Sequence, residues 1–529
     1  MNKHNFKINT LKLLIGVFLA VGLVIPIITM FFNMSKENIG QVLTSPQFGK
    51  SAINSLLVAT TATILSVSFA GLLAWSIAKT NIKLKGAFCV LFTFPMLIPS
   101  ISHGMGLVML FGKNGVLTNS LHLTSNIYGF WGIVIGSIMY SFPVAFLMLY
   151  DVLAYEDCTA YEAADVLGIS KSKQFLSITL PYLRKPLISI VFAVFSLIIT
   201  DYGVPLMVGG KFTTLPVLMY QEVIGLLDFG KGSVIGAILM VPAIVAFLID
   251  ILNSDKSNMS YVVKAARITT NKVRDAFAYV INSISIVFVL LPIIAFILLT
   301  FVKKYPVDLS ITIDNILQTF NMSGTQYLVN SVIIALLVCA VGVIITYITA
   351  YITARIHSKS SKLIHLITIT SLAVPGIVLG LSYALFFKSS FIYGTIAILI
   401  FVNIIHFFAS PYLLAYNSFN KLNENLESVG TTLGINRFYM IKDVFVPQMK
   451  TTLLEMISYF FVNSMITISA VSFLSTVKNM PISLLITQFE AQMLLECSAF
   501  VSLLILIINI VVKGVIYLLK RGIIAKEGI

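Results

Sequence analysis

The chain has 529 residues, enough for several soluble domains, yet 58% of them are hydrophobic and only 11% are charged. An average soluble domain carries about 25% charged residues, so this composition excludes a water-facing globular surface and requires lipid as the solvent. Thirty-five Lys and Arg stand against 21 Asp and Glu, a formal net charge of +14. The basic residues lie in short gaps between apolar runs, with no basic face lined by stacking aromatics, which argues against nucleic acid as a partner.

A helix needs roughly 20 mostly apolar residues to cross the hydrocarbon core. About twelve runs meet this requirement, near 11–32, 52–79, 86–112, 128–151, 187–209, 233–252, 276–302, 328–355, 363–387, 392–416, 452–475 and 497–519. The first follows Lys3, Lys7 and Lys12 as a secretory signal would, but its apolar run is too long and no small-residue cleavage site follows. It reads as an uncleaved span. With the N-terminus inside, the gaps on the inner side hold most of the basic residues, among them Lys79, Lys171, Arg184, Arg267, Arg355, Arg437 and Lys520. Positive-inside asymmetry therefore places both termini in the cytoplasm of a multi-pass cell-membrane protein. Four cysteines, Cys89, Cys158, Cys339 and Cys497, form no C-x-x-C pair, which argues against a structural zinc site or a disulfide framework. No metal site is expected.

The two halves repeat each other. Asn54-Ser55 matches Asn330-Ser331, AWSIAK (74–79) matches AYITAR (350–355), Pro99 matches Pro375 and Gly104 matches Gly380, all at one offset. At slightly smaller offsets Pro143 matches Pro411, and LGIS (167–170) matches LGIN (433–436). With six spans each, the copies have the same orientation: a first permease domain at 1–252, a basic cytoplasmic linker at 253–275 and a second domain at 276–529. The fold expected is all-α, with two parallel six-helix repeats. Parallel repeats of this kind are a transporter plan, with a pathway at the repeat interface.

The longest inner loops follow the fourth and tenth spans. In the first, Thr159 and Glu162 have capping-box spacing, Gly168 suits the left-handed position that ends a helix, and Ser170 opens a second short helix expected to stop before Pro181. Small side chains at Ala163 and Ala164 allow another surface to approach, and Glu162 can reach a basic partner. The second copy keeps small residues at Ser428, Val429 and Gly430, with Gly434 and Pro447 at the same spacing. An amphipathic surface loop is the plainer reading of either stretch alone.

Glu162, Ala163, Ala164, Gly168, Ile178, Leu180 and Pro181 together resemble the signature loop of binding-protein-dependent ABC importer permeases, and the second loop is a degraded match in which Gly434, Val444 and Pro447 hold while Ser428 replaces the Glu. Glu427 stands one residue early. The resemblance covers nearly the whole chain and implies two fused type I permease domains, each loop forming a coupling helix that docks on a separate ATPase subunit, two copies in all. It also implies an extracytoplasmic substrate-binding protein.

ATP hydrolysis needs a glycine-rich phosphate loop ending in Gly-Lys-Ser/Thr. TSPQFGKS (44–51) lacks the first Gly, and Gly209-Gly210-Lys211 is followed by Phe212. No catalytic residues and no cofactor are therefore expected in this chain, ATP being bound by the partner. Intramembrane ionisable groups are costly and few. Asp201, beside Tyr202 and flanked by Gly203, Pro205, Gly209 and Gly210, fits a broken helix lining a cavity; the alternative is a helix end near the outer surface. Thr467 stands opposite it in the second copy, with Ser469 nearby, and these four are the pathway candidates. TDYGVPLMVGG with MYQEVIG is similar to fused permeases assigned to 2-aminoethylphosphonate uptake, and MITISAVSFL (465–474) to both those and ferric-iron permeases. The substrate expected is a phosphonate, with ferric iron, thiamine or a polyamine as the alternative, and an ion-coupled carrier as the more distant one.

Overall fold

The computed structural model describes residues 3–122, 124, 126–253 and 270–527; the middle of the linker expected at 253–275 lies outside them. Among the described residues the chain is helical, apart from an antiparallel hairpin of Val302–Lys304 with Asp308–Ile311. Eight helices are long and apolar enough to cross a membrane, and two bent pairs raise the number to ten. These account for ten of the runs read from the sequence.

The other two runs are broken, for local reasons. The run at 86–112 divides into Lys85–Phe92, a 3₁₀ turn Phe94–Leu97 and Ser100–Phe111. Pro95 and Pro99 remove backbone donors, and each biases the residue before it away from helix. Its repeat partner bends by 111° between Lys359–Ala373 and Gly376–Phe386, at Pro375. The run at 452–475 is helical only over Lys450–Ile466, because Thr467 is extended at φ −65°, ψ 137°. The fifth span begins earlier than its apolar run suggests, from Ser172, and ends at Ile199. Pro181 does not stop it: the helix runs through, with a π-helical stretch, Phe175–Thr179, directly before the proline.

The chain forms two compact units that cross the sequence repeat. One comprises Met1–Val42, Glu222–Ala237 and Asp314–Ile529, the other Leu43–Gln221 and Ile238–Ile313. The first helix of each repeat therefore joins the core of the other. In the unit built on the second repeat, the Tyr383 hydroxyl donates to Gly22 O at 2.7 Å. In the unit built on the first, Asn282 from the helix Lys272–Thr300 donates to Ser76 Oγ at 2.8 Å. Both bonds are buried, so each fixes its helix by a polar contact that water cannot replace.

Candidate functional site

Each of the two large loops folds as an elbow. In the first, Thr159–Val166 is a helix, Gly168 has φ +67°, and Lys171–Gln174 opens the next helix. Ile169 N donates to Ala164 O at 3.0 Å and Gly168 N to Asp165 O at 3.1 Å, the paired bonds of a Schellman turn. The second elbow repeats them: Ile435 N to Gly430 O at 2.8 Å and Gly434 N to Thr431 O at 3.1 Å, with Gly434 at φ +70°. A left-handed residue is required at both points, and glycine supplies it without a Cβ penalty. A π-helical stretch follows in each copy, Phe175–Thr179 and Met440–Phe445, carrying the half-buried Ile178 and Val444. Leu180 and Pro181 then start the long helix on its exposed side, and half-buried Pro447 lies in the short helix Val446–Gln448.

Three details differ from the sequence reading. The Thr159–Glu162 capping box does not form: Thr159 is already helical, and Asp157 Oδ1 accepts from its N–H at 3.1 Å and its hydroxyl at 2.8 Å. Ala164 is buried rather than offered to a partner. At its repeat position a Cβ on Gly430 would meet Met440 Sδ at 2.8 Å, so smallness there serves internal packing. Glu162, Ala163, Gly168, Leu180, Pro181, Ser428, Val429 and Gly434 are the exposed members. With them stand apolar side chains, Leu167 at 75% exposure and Leu433 at 68%.

Each elbow is tied to the end of the second long helix of its own repeat. Lys79, the C-cap of Pro46–Ala78, pairs with Glu156 at 2.6 Å, and the other Glu156 oxygen accepts from the Tyr161 hydroxyl. Tyr161 also lies 2.5 Å from Thr179 Oγ1. Burial, and after it the Glu156 carboxylate, raise the Tyr161 pKa above its ordinary value. In the second elbow Glu427 occupies the position of Tyr161 and pairs directly with Arg355, Nε to Oε1 at 2.7 Å and Nη2 to Oε2 at 2.5 Å. Arg355 further donates to the carbonyls of Phe419, Leu422 and Asn423. Both basic groups lie over rings, Lys79 over Tyr161 at 5.9 Å and Arg355 over Phe445 at 5.6 Å. Glu427 is thus an inward anchor rather than the displaced counterpart of exposed Glu162.

The pathway candidates lie where the fifth span of each repeat breaks. Asp201 accepts from Gly203 N at 3.3 Å and Val204 N at 3.0 Å, capping the short helix Gly203–Val208; Ser100 also bonds its carboxylate. Tyr202 is buried and stacks on Tyr220 at 5.2 Å. Thr467 is buried, its carbonyl accepting from Ser483 Oγ at 2.7 Å; its own hydroxyl finds no partner among the described residues. Ser469 is half-buried, its hydroxyl against Gly376.

The repeated Asn-Ser pair, legible only as a marker of duplication, has a task here. Ser55 Oγ accepts from Leu215 N at 2.7 Å, and Ser331 Oγ accepts from Ile482 N at 2.7 Å. Asn54 donates to Thr213 O at 3.0 Å, and Asn330 to Lys478 O at 3.0 Å. Each pair latches the segment that follows the break. Gly104 and Gly380 grip the same segment from another side: a Cβ would approach Val204 O to 3.1 Å in one and Ala470 O to 2.7 Å in the other.

These features define the membrane component of an ABC importer. Residues 66–254 and 342–525 each match the family described as binding-protein-dependent transport system inner membrane component, and the chain belongs to that family. It is a multi-pass inner-membrane permease of the type I fold, working with a separate ATPase and a binding protein. It is 25% identical over 499 residues to a ferric transport system permease protein of Actinobacillus pleuropneumoniae, spanning 88% of this chain and 72% of that one. A putative ferric transport system permease protein of Haemophilus influenzae is 25% identical over 88% of this chain and 77% of its own. A thiamine transport system permease protein of Brucella abortus is 29% identical over 31% of this chain and 32% of its own.

Proposed function

We propose that the two elbows are where a pair of ATPase subunits grips this chain, and that the solute delivered by the binding protein is ferric iron. The observation that supports the elbows is their recurrence. The two matching Schellman turns leave small and apolar side chains exposed in both elbows, with the acidic Glu162 in the first, and small side chains let another surface approach closely. Both elbows and both termini lie on the cytoplasmic side in this reading, supported by the distribution of Lys and Arg. ATP-driven closure of the motor then moves the elbows, and the broken segments at Asp201–Tyr202 and Thr467–Ser469 respond along the translocation pathway.

Ferric iron is favoured over the 2-aminoethylphosphonate suggested by short segment likenesses, because the relatives that span most of this chain bear ferric transport names. The relatives named for thiamine and for spermidine and putrescine match only 31% to 39% of it. Selectivity would rest with the binding protein. Calorimetric titration of that protein with ferric ion, thiamine, spermidine and 2-aminoethylphosphonate tests the cargo: heat with ferric ion alone is the expected result, and tight binding of another solute alone overturns it. Proteoliposomes carrying this chain with its ATPase should then accumulate radiolabelled ferric iron only when ATP is supplied. Uptake without ATP would overturn the importer mechanism itself.

A further inference from the structure

In each unit one unbroken helix is clasped at both ends. Pro46–Ala78 holds the broken segment through Ser55 near its start, and the first elbow through Lys79 at its end. Thr325–Arg355 holds its own broken segment through Ser331, and the second elbow through Arg355. Ser55 and Lys79 are as far apart in sequence as Ser331 and Arg355, a length of about 36 Å at ~1.5 Å rise per residue. Within neither helix does a proline interrupt the backbone hydrogen bonds beyond the first turn. Such a helix carries an axial displacement, and coupling between distant sites travels through rigid elements of this kind.

We propose that these two helices are rods that carry movement of an elbow to the broken segment of the same unit. Lys79–Glu156–Tyr161 and Arg355–Glu427 are the clasps on the elbow, and Ser55 and Ser331 are the clasps on the broken segment. All seven are positioning residues, acting on the solute and on ATP only through the helices they hold. The inference rests on the elbow function proposed above and adds the route by which the stroke travels. It also makes the two routes unequal. The first elbow is held through a relay of Tyr161 and Glu156, the second by a direct two-bond pair.

The test uses the full complex of this chain with its ATPase in nanodiscs, and hydrogen exchange of residues 200–214 and 467–481 with and without a non-hydrolysable ATP analogue. The analogue should change exchange in both segments of the unaltered complex. Glu156→Gln or Ser55→Ala should reduce that change about fivefold in 200–214 and leave 467–481 responding; Arg355→Gln or Ser331→Ala should do the converse. A rod acts in series, so Glu156→Gln with Ser55→Ala should be no worse than either alone, although independent sites this far apart would add. Exchanging the charges, Lys79→Glu with Glu156→Lys, should restore the response, which guards against simple misfolding. Additive doubles, or a response in 200–214 that survives both single substitutions, would overturn the rods. Failure of the unaltered chain to retain the ATPase would instead overturn the elbow reading, and the rods with it.

Discussion

The elbows and the broken segments are both duplicated, but they have diverged to different degrees. At the broken segments the two copies use the same atoms: a serine hydroxyl accepts from the N-terminal N–H of the next helix at 2.7 Å in each. At the elbows the backbone is the same while the ionic tie is rebuilt, from Lys79, Glu156 and Tyr161 in one copy to Arg355 and Glu427 in the other. Burial explains the contrast. Leu215 and Ile482 are buried, so their N–H groups have no water to turn to and an unsatisfied donor is costly. At each elbow one member of the tie keeps some exposure, Lys79 at 22% and Glu427 at 18%, and long charged side chains reach the same helix end in more than one arrangement.

The largest effect should separate the elbows. Arg355→Ala leaves Glu427, whose side chain is 18% exposed, without its bidentate partner and frees three carbonyls. Removing one member of a buried pair costs about 3 kcal/mol, read as a lower midpoint in denaturant with the protein in micelles. Lys79→Ala removes a single bond and leaves Glu156 buried but still accepting from Tyr161, so it should cost about half as much; an equal loss would erase the distinction between direct and relayed ties. Next, Ser55→Ala and Ser331→Ala should each cost about 2 kcal/mol and should match one another. A clear inequality would break the likeness claimed for the broken segments. Gly168→Val and Gly434→Val force a β-branched residue to positive φ and should each cost about 1–2 kcal/mol, seen as faster proteolysis at the elbow. Tyr161→Phe, which removes one hydroxyl from the relay, should be the mildest, about 1 kcal/mol.

Much of this was legible in the sequence. Apolar runs gave most of the spans, Gly168 and Gly434 announced the turns, and the matched Pro99 and Pro375 lie where the third span of each repeat breaks. The exchange of first helices between units was not legible, because an apolar run shows that a helix seeks apolar neighbours without saying whose. Nor were the clasps. Lys79 and Arg355 stood in plain view at matching ends of AWSIAK and AYITAR, but their partners sit at non-matching positions, Glu156 and Glu427, and only the fold brings them within reach. The Asn-Ser pair shows the same limit. Its repetition was visible, while its task depended on segments roughly 150 residues away in sequence.

The grip of a motor on both elbows is open to direct trial. A photo-crosslinking amino acid at Leu167, and separately at Leu433, should trap the ATPase subunit from the assembled complex, while the same probe at Phe391, an exposed apolar site away from either elbow, should not. Crosslinks to the ATPase at Phe391 with none at Leu167 or Leu433 would contradict the account.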